Sequence, residues 1–137
     1  MQLKSEVGAV ILRIMLGVIF FIHGLVKFQG GIENIAGWFG SIGLPGFLAY
    51  LVAGIEVLGG IALIVGFGTR IVSALFVFLM IGAIIKVKLA AGFLGNANMA
   101  GYELELAYLA MALFLAINGS KHFSLGQIFS KNESSQM

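Results

Sequence analysis

The chain has 137 residues and a net charge of +2; 60% of the residues are hydrophobic, 10% are charged and none is cysteine. A mean hydropathy of +1.06 and a pI near 9.1 mark a basic membrane protein rather than a soluble domain. The absence of cysteine excludes a disulfide relay, thiol nucleophiles, iron–sulfur ligation and cysteine-based metal sites, and basic residues scattered singly along apolar segments argue against nucleic-acid binding.

Crossing the hydrocarbon takes a helix of about 20 mainly apolar residues. The stretches 7–28, 47–66, 71–90 and 102–118 predict four such spans. The expected fold is therefore an all-α membrane protein, one domain over 1–137 built as a four-helix transmembrane bundle, with a polar tail over 126–137. No small-residue cleavage signature follows the first apolar run, so that run is expected to be retained as a span rather than removed.

On the first helix, positions 13, 17, 20, 24 and 27 share one face, which reads Arg13, Gly17, Phe20, Gly24, Lys27. A charge at the centre of a membrane helix costs about 2.5–3.5 kcal/mol, so such groups face a bundle interior, a partner or water. The glycines between the two cations let another helix approach. His23, one turn before Lys27, borders the same stripe and is the kind of group that titrates near neutrality. The plainer alternative is that Arg13 and Lys27 snorkel to opposite surfaces.

The connection after the first span places Ile32, Ile35, Ala36, Phe39 and Ile42 near helical spacing with Trp38 beside them, which predicts a short amphipathic segment lying at the membrane surface. The second span carries Glu56 near its middle, roughly 15 Å from either end. Ala49, Ala53 and Gly60 share its face and form the narrow side on which a partner helix packs. A pair with Arg13, protonation forced by desolvation, or a polar cavity would each accommodate the carboxyl group. Gly66–Arg70 is a tight turn, and Arg70 is expected at a membrane surface as a structural charge.

Lys86 and Lys88 end the third span, while Glu103 and Glu105 begin the fourth. With His23 and Lys27 they form a polar rim suited to an anionic or phenolic ligand, or else to surface salt bridges of small value. Tyr102 and Tyr108 read as interfacial belt residues. Four spans put both termini on one side with Lys4, Arg13, Arg70, Lys121 and Lys131, and the positive-inside rule then favours cytoplasmic termini. His23 and His122 fall at opposite faces, so no metal or haem site is expected.

The series R-x3-G-x6-G-x2-K at Arg13–Lys27, GLP at Gly43–Pro45, E-x2-GG at Glu56–Gly60, GFGTR at Gly66–Arg70 and GYE at Gly101–Glu103 resembles the DoxX family of small four-span bacterial membrane proteins, over about residues 7–125. It is most similar to the catechol- and quinone-stress (CatD-like) branch. Relatives often read G-P-G-R-x-S-L-D after the fourth span, where this chain has Gly119, Ser120, Lys121, His122, Phe123, Ser124, Leu125 and Gly126.

The resemblance implies a cytoplasmic-membrane oxidoreductase subunit that works with a soluble or membrane redox partner and a membrane quinone. By position, the family's polar residues fall on Arg13, Lys27, Glu56, Arg70 and Glu103. The reading expected from residues and resemblance together is a multi-pass subunit for quinone-like or phenolic compounds, with no covalent cofactor. Glu56 serves as proton acceptor, Arg13 as its counter-charge and His23 as a third catalytic candidate, while His23, Lys27, Glu103 and Lys86 contact the ligand. An exporter of small aromatic molecules, functional as a homo-oligomer, and a non-catalytic anchoring subunit are the competing readings.

Overall fold

Long apolar runs free of internal proline fold as helices, and the single proline, Pro45, stands just before one of them, where its carbonyl accepts a hydrogen bond from the Leu48 N–H at 3.1 Å. The computed structural model describes residues 2–97, 99–121, 124–125 and 127–128. The helices are α1 (Gln2–Gln29), α2 (Ile32–Ser41), α3 (Phe47–Val65), α4 (Thr69–Ala83) and α5 (Glu103–Asn118). The α4 helix continues through a π-helical turn, Ile84–Lys88, into a 3₁₀ turn, Leu89–Ala91. Among the described residues the only β feature is an isolated bridge between Gly95 and Ala100.

Among the described residues three segments are long and apolar enough to cross a membrane: Lys4–Gln29, Phe47–Val65 and Thr69–Ala91. The fourth expected span is a helix too, but α5 has 16 residues. At 1.5 Å per residue it is about 24 Å long, less than the roughly 30 Å of hydrocarbon. The amphipathic segment expected after the first span is α2, which buries none of its residues and leaves Trp38 well exposed.

Helices α1 and α3 run antiparallel in close contact, and the two small-residue faces read from the sequence meet there. A Cβ at Gly17 would lie 2.7 Å from the Gly60 carbonyl oxygen, and one at Gly24 would lie 2.8 Å from that of Ala53. No side chain fits, so the backbones touch and gain dispersion contacts that lipid tails do not supply. Helices α4 and α5 form the second intimate pair.

Aromatic rings join the two pairs. Phe20 of α1 stacks on Phe76 of α4 with centroids 3.9 Å apart, and the edge of Tyr108 of α5 meets Phe20 at 5.9 Å. The tip of Phe76 rests on Gly59 of α3. Leu16, Leu63, Met80, Ala112 and Leu115 complete the core around this stack. Between α3 and α4 the seam stays open on the outside as an apolar groove of about 420 Å³, bordered by Leu51, Gly54, Leu58 and Leu75.

The turn from α3 to α4 follows the expectation for Gly66–Arg70. Gly66 ends α3 at φ 76° and Gly68 precedes α4 at φ 60°, both in the left-handed region that glycine adopts without a Cβ penalty. The link from α4 to α5 folds back on itself: the Tyr102 N–H donates to the Gly92 carbonyl at 3.2 Å and the Glu103 N–H to that of Phe93 at 3.1 Å.

Candidate functional site: an ion pair inside the bundle

The antiparallel register decides which cation meets Glu56. With Gly17 against Gly60 and Gly24 against Ala53, Glu56 lies between these levels. Helical side chains lean toward the N-terminus of their own helix. Lys27 therefore leans back along α1 while Glu56 leans along α3 in the opposite direction, and the two converge: Lys27 Nζ donates to Glu56 Oε1. The Glu56 side chain is 4% exposed and that of Lys27 31%.

This corrects the expected Arg13–Glu56 pair. Arg13 lies 14 positions before Lys27, about 21 Å along the helix, and its side chain leans away from Glu56. It is fully buried, and its Nη1 donates to the Ser120 hydroxyl at 3.2 Å and to the Ser120 carbonyl at 3.4 Å. A Cβ at Gly66 would come within 3.0 Å of the same nitrogen, and Ser124 packs against that glycine. Arg13 thus ties the segment after α5 to the turn between α3 and α4.

The remaining candidates divide by position. His23 is exposed at the edge of the bundle, one turn before Lys27, with its ring edge-to-face on Tyr108 at 6.2 Å. Tyr108 is therefore a packing residue between α1 and α5 rather than a free belt residue, whereas Tyr102 packs on Phe93 with centroids 5.7 Å apart. Arg70 Nη2 donates to the Asn118 carbonyl at 3.4 Å, favourable for a cation at the last turn of α5. Lys86 and Glu103 are both exposed, so of the expected rim it is Lys88 and Glu105 that pair, at 2.5 Å. His122 and Lys131 lie outside the described residues.

The structure therefore brings Glu56 and Lys27 together, sets His23 beside Tyr108 one turn deeper than Lys27, and leaves Arg13 at the opposite end. Ser120 and Ser124 were not singled out from the sequence as partners, whereas the Lys88–Glu105 pair is one of the rim salt bridges it offered. The Lys27–Glu56 pair itself was within reach of sequence reasoning, because sliding the Gly17/Gly24 face along the Ala53/Gly60 face fixes the register. Chemically, the ammonium group compensates a carboxylate inside an apolar bundle, where an unpaired charge is costly.

The DoxX family model matches residues 8–89. The chain is 47% identical to the "Putative oxidoreductase CatD" of Bacillus subtilis, with 91% of this chain and 89% of that protein aligned. It is 30% identical to the "Uncharacterized membrane protein Rv3486" of Mycobacterium tuberculosis, over 90% of this chain and 82% of that one. To the "Inner membrane protein YqjF" of Escherichia coli it is 29% identical, over 96% and 98%. No solved structure matches significantly. A helical bundle with three membrane-length apolar helices and relatives of this kind along most of its length belongs to the DoxX family of membrane proteins.

Proposed function

We propose that this chain is the membrane subunit of an oxidoreductase system that handles quinone-like or phenolic compounds, in detoxification of catechol- or quinone-type stress. The observation that carries the reading is the Lys27–Glu56 pair, buried midway along α3, with His23 and Tyr108 one turn away. The name of the Bacillus subtilis relative supports an oxidoreductase role.

Reduction of a quinone to a quinol takes two electrons and two protons. A redox partner supplies the electrons and a membrane quinone is the lipid-soluble carrier; Lys27 and Glu56 supply the proton route, with Lys27 and His23 positioned toward the oxygens of the ligand. Arg13, tied to Ser120, holds the opposite end of the bundle closed. The α5 helix completes a fourth crossing by drawing on the residues that flank it, and both termini face the cytoplasm of the cell membrane.

Cells expressing wild type are expected to survive catechol and 2-methyl-1,4-naphthoquinone better than cells expressing Glu56→Gln at equal membrane levels. Full protection by the variant contradicts the proton role. Energy-dependent efflux of the compound from sealed vesicles lacking any reductant favours a transporter instead.

A further inference from the structure

The π-helical turn has a consequence for the far end of the bundle. The buried face of α4 carries Thr69, Ser73, Phe76 and Met80. In an uninterrupted α-helix position 87 continues that face, and position 88 falls about 80° away from it at 100° per residue. The turn Ile84–Lys88 inserts one extra residue. Lys88 thereby takes the place Val87 would have held, and its Nζ meets Glu105 Oε1 at 2.5 Å.

Glu105 precedes Tyr108 by three positions, so the two share a face of α5, about 4.5 Å apart along its axis. Tyr108 in turn touches Phe20 and His23. The Lys88–Glu105 pair therefore lies one turn from the aromatic junction, on the side toward the loop that precedes α5.

The second carboxylate oxygen, Glu105 Oε2, is buried and accepts no hydrogen bond among the described residues. Buried acceptors are almost always satisfied, and leaving one bare forfeits the hydration it had in water. Lys88 retains two further ammonium hydrogens, and its side chain is 23% exposed. An unfilled acceptor beside an available donor, one turn from aromatic rings, matches the hydroxyl groups of an aromatic ring.

We propose that Lys88 and Glu105, aligned by the π turn, form a second ligand-holding pair in which Glu105 Oε2 accepts a hydrogen bond from an aromatic hydroxyl. The ligand class is a phenol, catechol or hydroquinone rather than its ether or the bare quinone. The assignment rests on the reading above that the bundle takes phenolic or quinone-like compounds, and adds the group that distinguishes the hydroxylated form. It also gives the π turn a purpose: Lys88 is a positioning residue for Glu105.

Equilibrium binding to the protein in nanodiscs, with catechol, 1,2-dimethoxybenzene and 2-methyl-1,4-naphthoquinone as probes, tests it. Wild type is expected to prefer catechol over the dimethoxy compound by about tenfold, as expected for one hydrogen bond to a charged acceptor. Glu105→Gln, which keeps the size of the side chain but replaces the charged acceptor by a neutral one, should reduce that preference severalfold while leaving naphthoquinone binding in place. Deletion of Ile85, which returns the π turn to α register, should do the same with Glu105 still present.

An unchanged catechol preference in Glu105→Gln overturns the inference and assigns the open oxygen to a bound water. Loss in Glu105→Gln with full preference after deletion of Ile85 overturns the role of the π turn. Naphthoquinone binding without any preference for catechol in wild type refutes this site alone, whereas binding of neither compound refutes the proposed function along with it.

Discussion

Lys27 and Glu56 neutralise each other inside a medium that tolerates neither charge alone. Removing one partner of such a pair strands the other, at a cost of about 3 kcal/mol, the low end of the usual range because Lys27 retains some exposure. Glu56→Ala should therefore lower stability by about that much. The double variant Lys27→Met with Glu56→Met should recover to within about 1 kcal/mol, since an apolar pair of similar volume needs no compensation. Equilibrium unfolding in detergent micelles checks both, and a stable double variant that fails to protect cells separates chemistry from folding. The sequence alone marked Lys27 and Glu56 as unusual but joined Glu56 to Arg13. Both cations lie on the same helical face, and choosing between them requires the register of the two antiparallel helices together with the direction in which each side chain leans. Ser120 was illegible as the partner of Arg13, because a serine after the last helix carries no periodic signal and meets Arg13 only through the fold.

At the scale of elements, glycine spacing was informative where its physical role is close approach. Gly17 and Gly24 of α1 face Ala53 and Gly60 of α3, and both faces were legible from seven-residue repeats of small side chains. Substitution should reveal the difference between a packed and an open glycine. Gly17→Val places methyl groups into the backbone of α3 and should cost about 2–3 kcal/mol. Gly82→Ala meets nothing within 4 Å and should stabilise α4 by about 0.5–1 kcal/mol through helix propensity alone. Thermal unfolding of the two purified variants measures both signs. The π turn was not legible, because Ile84–Lys88 has the composition of an ordinary helix end. The α5 helix starts one residue later than expected, because Tyr102 belongs to the incoming loop and the helix begins at Glu103.

For the whole molecule, two tightly packed helix pairs, α1 with α3 and α4 with α5, meet along a thinner seam held by the Phe20–Phe76 stack. Each pair carries one Lys–Glu bridge, Lys27–Glu56 in the first and Lys88–Glu105 in the second. Arg13 and Arg70 instead secure the opposite end by holding the chain that leaves α5. Composition and hydropathy were sufficient for the helical membrane class, and the ordered motifs for the family, because both are properties of the chain read in order. The separation of an end that carries the Lys–Glu bridges from an end fastened by Arg13 and Arg70 depends on contacts between distant segments. The most direct test of the central claim is equilibrium binding of menaquinone to the protein in nanodiscs, comparing wild type with Glu56→Gln and His23→Ala. Saturable binding that either substitution weakens several-fold is the result expected from a ligand held beside the Lys27–Glu56 pair. Well-folded wild-type protein that binds no quinone contradicts it.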